Sequence, residues 1–266
     1  MNAQTVPLLR DHTFGEQAVL PTVSVMEWLV RAVEAERGLH RPFFIENYSL
    51  YKGVTLPSLD SELLLQADVD SQTDRVRCKL LSGNESGSVR YHYALDVVLN
   101  GELPDLTCAK IIINDGRRSV DKSDIYQSAL FHGGLLQRIQ RVASYNKDGM
   151  TALCRMTTDD VSQAVKGSYK LANPIADDLV LQVLILWPRL MQKISALPNR
   201  FKRWHYIRPV PLDQDFYIRL DVIESTSMRL VADLLVCSPQ GHVYMKIESA
   251  EASLSPALND LFLKKL

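Results

Sequence analysis

The sequence predicts an α+β protein of two similar halves, each a long helix followed by antiparallel strands. Three observations carry this. The segment PTVSVMEWLVRAVEAER has a helical apolar period and precedes a series of partly alternating strand patterns. A second helical segment, NPIADDLVLQVLILWPRLM, precedes four more strand patterns. Between them NDGRRSVDKSD is polar enough to be a surface connection.

Taken in order, the first helix should start near Thr22 and stop at Gly38. Ser24 to Glu27 has the form of a capping box, and Val25, Trp28, Leu29, Ala32 and Val33 recur at three and four, so one face should be buried. Arg41 to Pro57 reads as a strand with irregular ends. SELLLQADVD, DRVRCKLLSG and SVRYHYALDVVLNG read as antiparallel strands joined by the turns DSQTD and SGNESG. The boundary is placed in the polar connection, giving halves at residues 1–112 and 124–266 with a linker at 113–123. Beyond it come a short helix, the glycine pair Gly133 and Gly134, and strand patterns. Asn173 and Pro174 then supply an N-cap and a first-turn proline for the second helix, which is apolar nearly all round. NRFKRWHYIRPV, DFYIRLDVIES, SMRLVADLLVCSP and GHVYMKIESAEASL close the chain as strands.

Composition narrows the function classes. A chain of 266 residues, 46% hydrophobic and 23% charged, needs no metal or disulfide as scaffolding. Thirty basic and 31 acidic residues leave a net charge of −1, so no global field favours nucleic acid or an acidic membrane. Cys78, Cys108, Cys154 and Cys237 are scattered without CxxC spacing, which argues against structural zinc and suits a reducing, cytoplasmic setting. The N-terminus lacks the pattern of a secretory signal, and the run from Leu179 to Met191 is short for a membrane span.

Two positions suggest chemistry. His12 precedes Gly15, Pro21 and the first helix; alone, a structural histidine is the ordinary reading. In the second helix Asp178 and Gln182 stand four apart on one face amid apolar neighbours, and a carboxyl buried there could remain protonated and serve as an acid. Asp177 and Asp178 could equally favour the positive helix N-terminus.

The spacing of His12 and Pro21 resembles the first signature, HxxxGxxxxP, of the dehydratase domains of polyketide and fatty acid synthases, with Gly15 one position early and Glu16 in the glycine place. NPIADDLVLQ resembles the second, HPALLDAALQ, matching at Pro174, Asp178 and Gln182, with Asn173 for the usual histidine or aspartate. FHGGLLQ is similar to the family's central tyrosine-glycine-proline motif. It has His132 in the tyrosine place, Gly133 retained and Gln137 at the end, as in dehydratases of the polyunsaturated fatty acid synthase type; an ordinary turn histidine is the other reading of His132.

The resemblance implies a double hotdog, with two antiparallel sheets each wrapped around a central helix and a tunnel between them. It implies removal of water from a β-hydroxyacyl thioester without metal or redox cofactor. His12 would be the base and Asp178 the acid, oriented by Gln182. His132 would hydrogen-bond the carboxyl or the substrate, and the Gly15 amide would bind the thioester carbonyl. It further implies a substrate on the phosphopantetheine arm of an acyl carrier protein, neighbouring synthase domains, and a homodimer. Double-bond isomerisation, product-template cyclisation, thioester hydrolysis and a non-catalytic acyl-binding module are the competing readings. His40, His92, His205 and His242 are expected to be structural.

Overall fold

The computed structural model describes residues 6–15, 17–37, 43–56, 59, 66–70, 74–83, 89–99, 118–164 and 172–262. A 3₁₀ turn, Pro7–Asp11, leads into a small hairpin of β1 (Thr13–Phe14) and β2 (Gln17–Val19). Helix α1 (Thr22–Arg37) follows, with Val23, Val25, Met26, Leu29, Val30 and Val33 buried. The capping box is not used. The helix begins two residues before Ser24, whose amide donates to the Pro21 carbonyl at 3.1 Å, and Glu27 instead pairs with Arg31 one turn later at 2.6 Å.

Strands β3 (Phe43–Leu50), β4 (Thr55–Leu56), β5 (Gln66–Asp70), β6 (Arg75–Gly83) and β7 (Val89–Leu99) complete the first half, as their apolar patterns require. Residues 113–117 of the expected linker at 113–123 lie outside the described residues, as do Glu16, His40 and Cys108.

The second half opens with β8 (Val120–Asp121) and α2 (Lys122–Asp124), which runs into a π-helical turn, Ile125–Ala129. A 3₁₀ turn at Gly134–Leu136, β9 (Ile139–Asn146), β10 (Gly149–Arg155) and a short α3 (Thr158–Ala164) precede α4 (Pro174–Gln192). Asn173 caps α4 as expected, its Oδ1 accepting from the amides of Ile175 at 3.0 Å and Ala176 at 3.5 Å. The helix ends at Lys193, which takes a left-handed conformation. Then come β11 (Ser195–Tyr206), β12 (Asp215–Ser225), β13 (Arg229–Cys237), β14 (Val243–Ser255) and α5 (Ala257–Phe262). The sequence patterns do not mark α3 or α5, which are each too short to show a helical period.

The sheets of the two halves are joined rather than separate. Eleven strands form one antiparallel ladder in the order β5-β6-β7-β3-β11-β14-β13-β12-β10-β9-β8, and β3 pairs with β11 at the seam, Ile45 opposite Trp204 and Tyr48 opposite Phe201. On the polar side, Glu46 of β3 accepts from Arg203 of β11 at 2.6 Å. The other face wraps α1 and α4, which pack against each other, and α4 is buried on almost every side from Pro174 to Pro188. This is the α+β double hotdog, with its two sheets fused edge to edge. Among the described residues, no helix is long and apolar enough to cross a membrane.

Candidate active site

The β1–β2 hairpin fixes His12. The chain reverses after Phe14, and Gly15 takes φ 60°, a left-handed conformation that glycine adopts without strain. The reversal brings Val19 back beside His12. The Val19 amide donates to the His12 carbonyl at 2.9 Å, and His12 Nδ1 lies 2.8 Å from the Val19 carbonyl oxygen. A carbonyl only accepts, so Nδ1 carries the proton and the neutral ring keeps its lone pair on Nε2. Pro21 then ends the extended run, and its carbonyl receives the first amides of α1.

Helix α4 delivers the acid. Asp178 is 3% exposed, and one turn on, Gln182 is fully buried with its Nε2 donating to Asp178 Oδ2 at 2.8 Å. Gln182 is itself braced. Its Nε2 also donates to the Leu136 carbonyl at 2.8 Å, and its Oε1 accepts from the Tyr126 hydroxyl at 2.8 Å. Tyr126 in turn accepts from the Ile139 amide at 3.0 Å. Burial pushes the Asp178 carboxyl up to about 7, although the Gln182 hydrogen bond pulls the other way. Its neighbour Asp177, expected at the helix start, is also buried and raised well above the usual carboxylate range by desolvation, while the Tyr206 hydroxyl donates to it at 2.8 Å.

His132 comes from the extended stretch before the 3₁₀ turn and is 3% exposed. Its Nε2 lies 3.6 Å from Asp178 Oδ2. Phe131 stacks on it with centroids 4.0 Å apart and meets His12 edge-on at 5.0 Å. Gly133 is required by close packing. Its amide donates to the Asp11 carbonyl at 2.7 Å, and a Cβ there would lie 2.9 Å from Asp11 Cα. The Leu135 amide donates to Asp11 Oδ2 at 3.1 Å, which ties this segment to the residue before His12.

The structure thus gathers His12, His132 and Asp178, each offering one nitrogen or oxygen within 4.8 Å of the others. Such a set can pass protons, and the same three atoms could hold a divalent cation. They line a cavity of about 360 Å³ whose wall is mainly apolar, with Leu20, Tyr93, Leu181, Ile185, Leu197 and Leu258 among its residues. Gln182 and Gly133 support this wall from behind. Gly15 makes the hairpin turn and is not among the lining residues.

Sequence reasoning missed Asp11, Tyr126, Phe131 and Tyr206. Phe131 opens the FHGGLLQ segment without being marked as a site residue, and Asp11, Tyr126 and Tyr206 matter through partners distant in sequence. Of the histidines expected to be structural, His92 is held by Ser82 at 2.8 Å and the Lys52 carbonyl at 2.9 Å, His205 packs on Phe44 in the outer face of the sheet, and His242 lies in a turn.

Residues 109–261 match the family model described as the polyketide synthase dehydratase N-terminal domain. The chain is 28% identical over 228 residues to a polyunsaturated fatty acid synthase polypeptide of Thraustochytrium sp.; the match covers 83% of this chain but only 8% of that much longer protein. Two solved structures share the fold. The dehydratase domain from the CurH module of the curacin polyketide synthase has TM-score 0.75 and 18% identity, with 99% of this chain and 92% of that one covered. A trans-AT polyketide synthase dehydratase domain from Brevibacillus brevis has TM-score 0.74 and 17% identity, with 93% and 90% covered. On the family match, which spans more than half of its length, the chain belongs to the polyketide synthase dehydratase family.

Proposed function

We propose that this chain removes water from a β-hydroxyacyl thioester to give an α,β-unsaturated acyl chain, in polyketide or polyunsaturated fatty acid synthesis. The observation that carries the reading is the convergence of a base-competent imidazole and a buried carboxyl, from opposite halves of the chain, on one apolar cavity.

His12 Nε2 takes the α-proton, whose C–H electrons form the new double bond. The β-hydroxyl departs as water with the proton of Asp178. The cycle ends with His12 protonated and Asp178 ionised, and proton exchange between them, with His132 alongside, restores the starting state. An Asp178 carboxyl near neutrality suits this role, since it is protonated in a useful fraction at pH 7 and gives up its proton readily. Gln182 orients the carboxyl, and His132, 3.6 Å from Asp178, hydrogen-bonds the substrate. The reaction as drawn needs no cofactor. The substrate arrives on the phosphopantetheine arm of an acyl carrier protein, within a larger synthase.

The test is mass spectrometry of β-hydroxyacyl chains on carrier protein incubated with the wild type, His12→Ala and Asp178→Asn. Loss of water with the wild type, slowed about 10²- to 10⁴-fold in each variant, is the expected result. Turnover unaffected by both substitutions would refute the site.

A further inference from the structure

The cavity has two walls of different chemistry. One is polar and open, with Lys52, Gly53 and Thr55 exposed. The other is apolar and includes Leu181 and Ile185, which follow Asp178 on α4, and Leu258 of α5. Ile185 stands seven positions after Asp178 on the helix, a rise of about 10 Å. Amide and phosphate groups of a pantetheine arm can be solvated at the first wall. Only a hydrocarbon gains from the second.

Helix α5 has no stability of its own at six residues and must be held by tertiary contacts. Asn259 does this with three hydrogen bonds to the turn where α4 passes into β11. Its Oδ1 accepts from the Ser195 amide at 2.7 Å and from Arg189 Nη1 at 3.0 Å, and its Nδ2 donates to the Lys193 carbonyl at 3.2 Å. Arg189 is fixed in turn by the Ser128 carbonyl at 3.1 Å. The residue before Asn259 is the one that reaches the cavity. Leu258 is half-buried and lines the cavity, and the bonds of Asn259 place it beside the C-terminal end of α4, the end remote from Asp178.

We infer that α5 is the chain-length stop of this cavity: Leu258 limits how far an acyl chain extends along α4, and the Asn259 latch holds Leu258 in place. The assignment of the chain to this wall rests on the acyl-thioester reading above, whereas the stop itself can be tested without catalysis.

Saturated acyl-pantetheines, which lack the reacting hydroxyl, serve as probes of binding by calorimetry over a series of chain lengths. For the wild type, affinity should rise with length and then drop about tenfold once the chain meets Leu258. Leu258→Ala should move the drop to longer chains, Leu258→Phe to shorter ones, and Asn259→Ala should blunt it. A drop at the same length in both Leu258 variants overturns the stop, as does an equal loss of affinity at every length, which would mean that Leu258 touches the pantetheine arm. If Asn259→Ala does not fold, the two Leu258 variants decide the matter. Turnover of matching β-hydroxyacyl chains is measured separately. A shifted length limit in binding without dehydration supports the stop and refutes the dehydratase reading.

Discussion

His132 Nε2 stands 3.6 Å from Asp178 Oδ2, beyond hydrogen-bonding distance, so the carboxyl's close partner is Gln182 and the imidazole is a neighbour held at a short remove. Asp178 thereby keeps one strong hydrogen bond inside an apolar wall. Its proton affinity is set mainly by burial, and this has consequences for stability as well as for chemistry.

In the folded chain Asp178 holds its proton up to about pH 7, against an ordinary value of 3.8. Between these limits the native state binds more protons than the unfolded state, so stability should fall as pH rises through the window and level off above it. Asp177, raised in the same direction, adds to the trend. Asp178→Asn should be more stable than the wild type at pH 8, by about 2–4 kcal/mol, with the advantage gone near pH 4. Urea unfolding at pH 4, 6 and 8 measures this directly.

Gln182→Leu removes the hydrogen bond that favours the Asp178 carboxylate, so the acid should titrate higher still. The alkaline fall of the dehydration rate, set by loss of the Asp178 proton, should move to higher pH. Thermal unfolding should show a loss of about 1–3 kcal/mol, because the Leu136 carbonyl and the Tyr126 hydroxyl each lose a partner. An unmoved pH profile would mean that Gln182 braces the helix without tuning the acid.

At Gly133 even one methyl group is too many. With Asp11 Cα 2.9 Å from the place of the new Cβ, Gly133→Ala must push the Asp11–His12 segment away from His132. The expected cost is about 1–3 kcal/mol in stability, with a fall in activity larger than the lost stability explains. Gly15→Ala provides the contrast, since it meets no atom within 4 Å and is strained only by its φ of 60°.

Glu46 is 5% exposed and accepts from Arg203 across the seam while also pairing with Arg75. Glu46→Ala should lower stability by about 1–3 kcal/mol. Because the ladder is continuous, unfolding should remain one transition, with tryptophan fluorescence and far-UV circular dichroism coinciding. Two separated transitions would show that the halves do not share their stability.

Local chemistry made much of this readable in the sequence. Asn173 and Pro174 announce α4 because a cap and a first-turn proline act within a few residues. Asp178 and Gln182 share a face because helical spacing puts them there, and the motif resemblance supplied His12 as their counterpart. The apparent capping box failed because Ser24 and Glu27 have the right spacing inside a helix that Pro21 and Thr22 had already begun. Tyr126 could not be found in this way. Its value lies in reaching Gln182, 56 residues later, and no period or turn signal encodes that meeting. The β3–β11 pairing was equally hidden, since an apolar strand pattern states that a strand needs a neighbour without saying which.

That pairing also decides how such a chain can be recombined with its relatives. The polar connection looks like the natural place to exchange one half for another, yet the halves meet along β3 and β11, where a slip of one residue shifts a strand by about 3.3 Å and turns its side chains to the opposite face. His12 leads into the β1–β2 hairpin of one half, and Asp178 stands on α4 of the other. A chimera cut at the connection would inherit both reactive groups and lose their alignment unless the two seam strands travelled together.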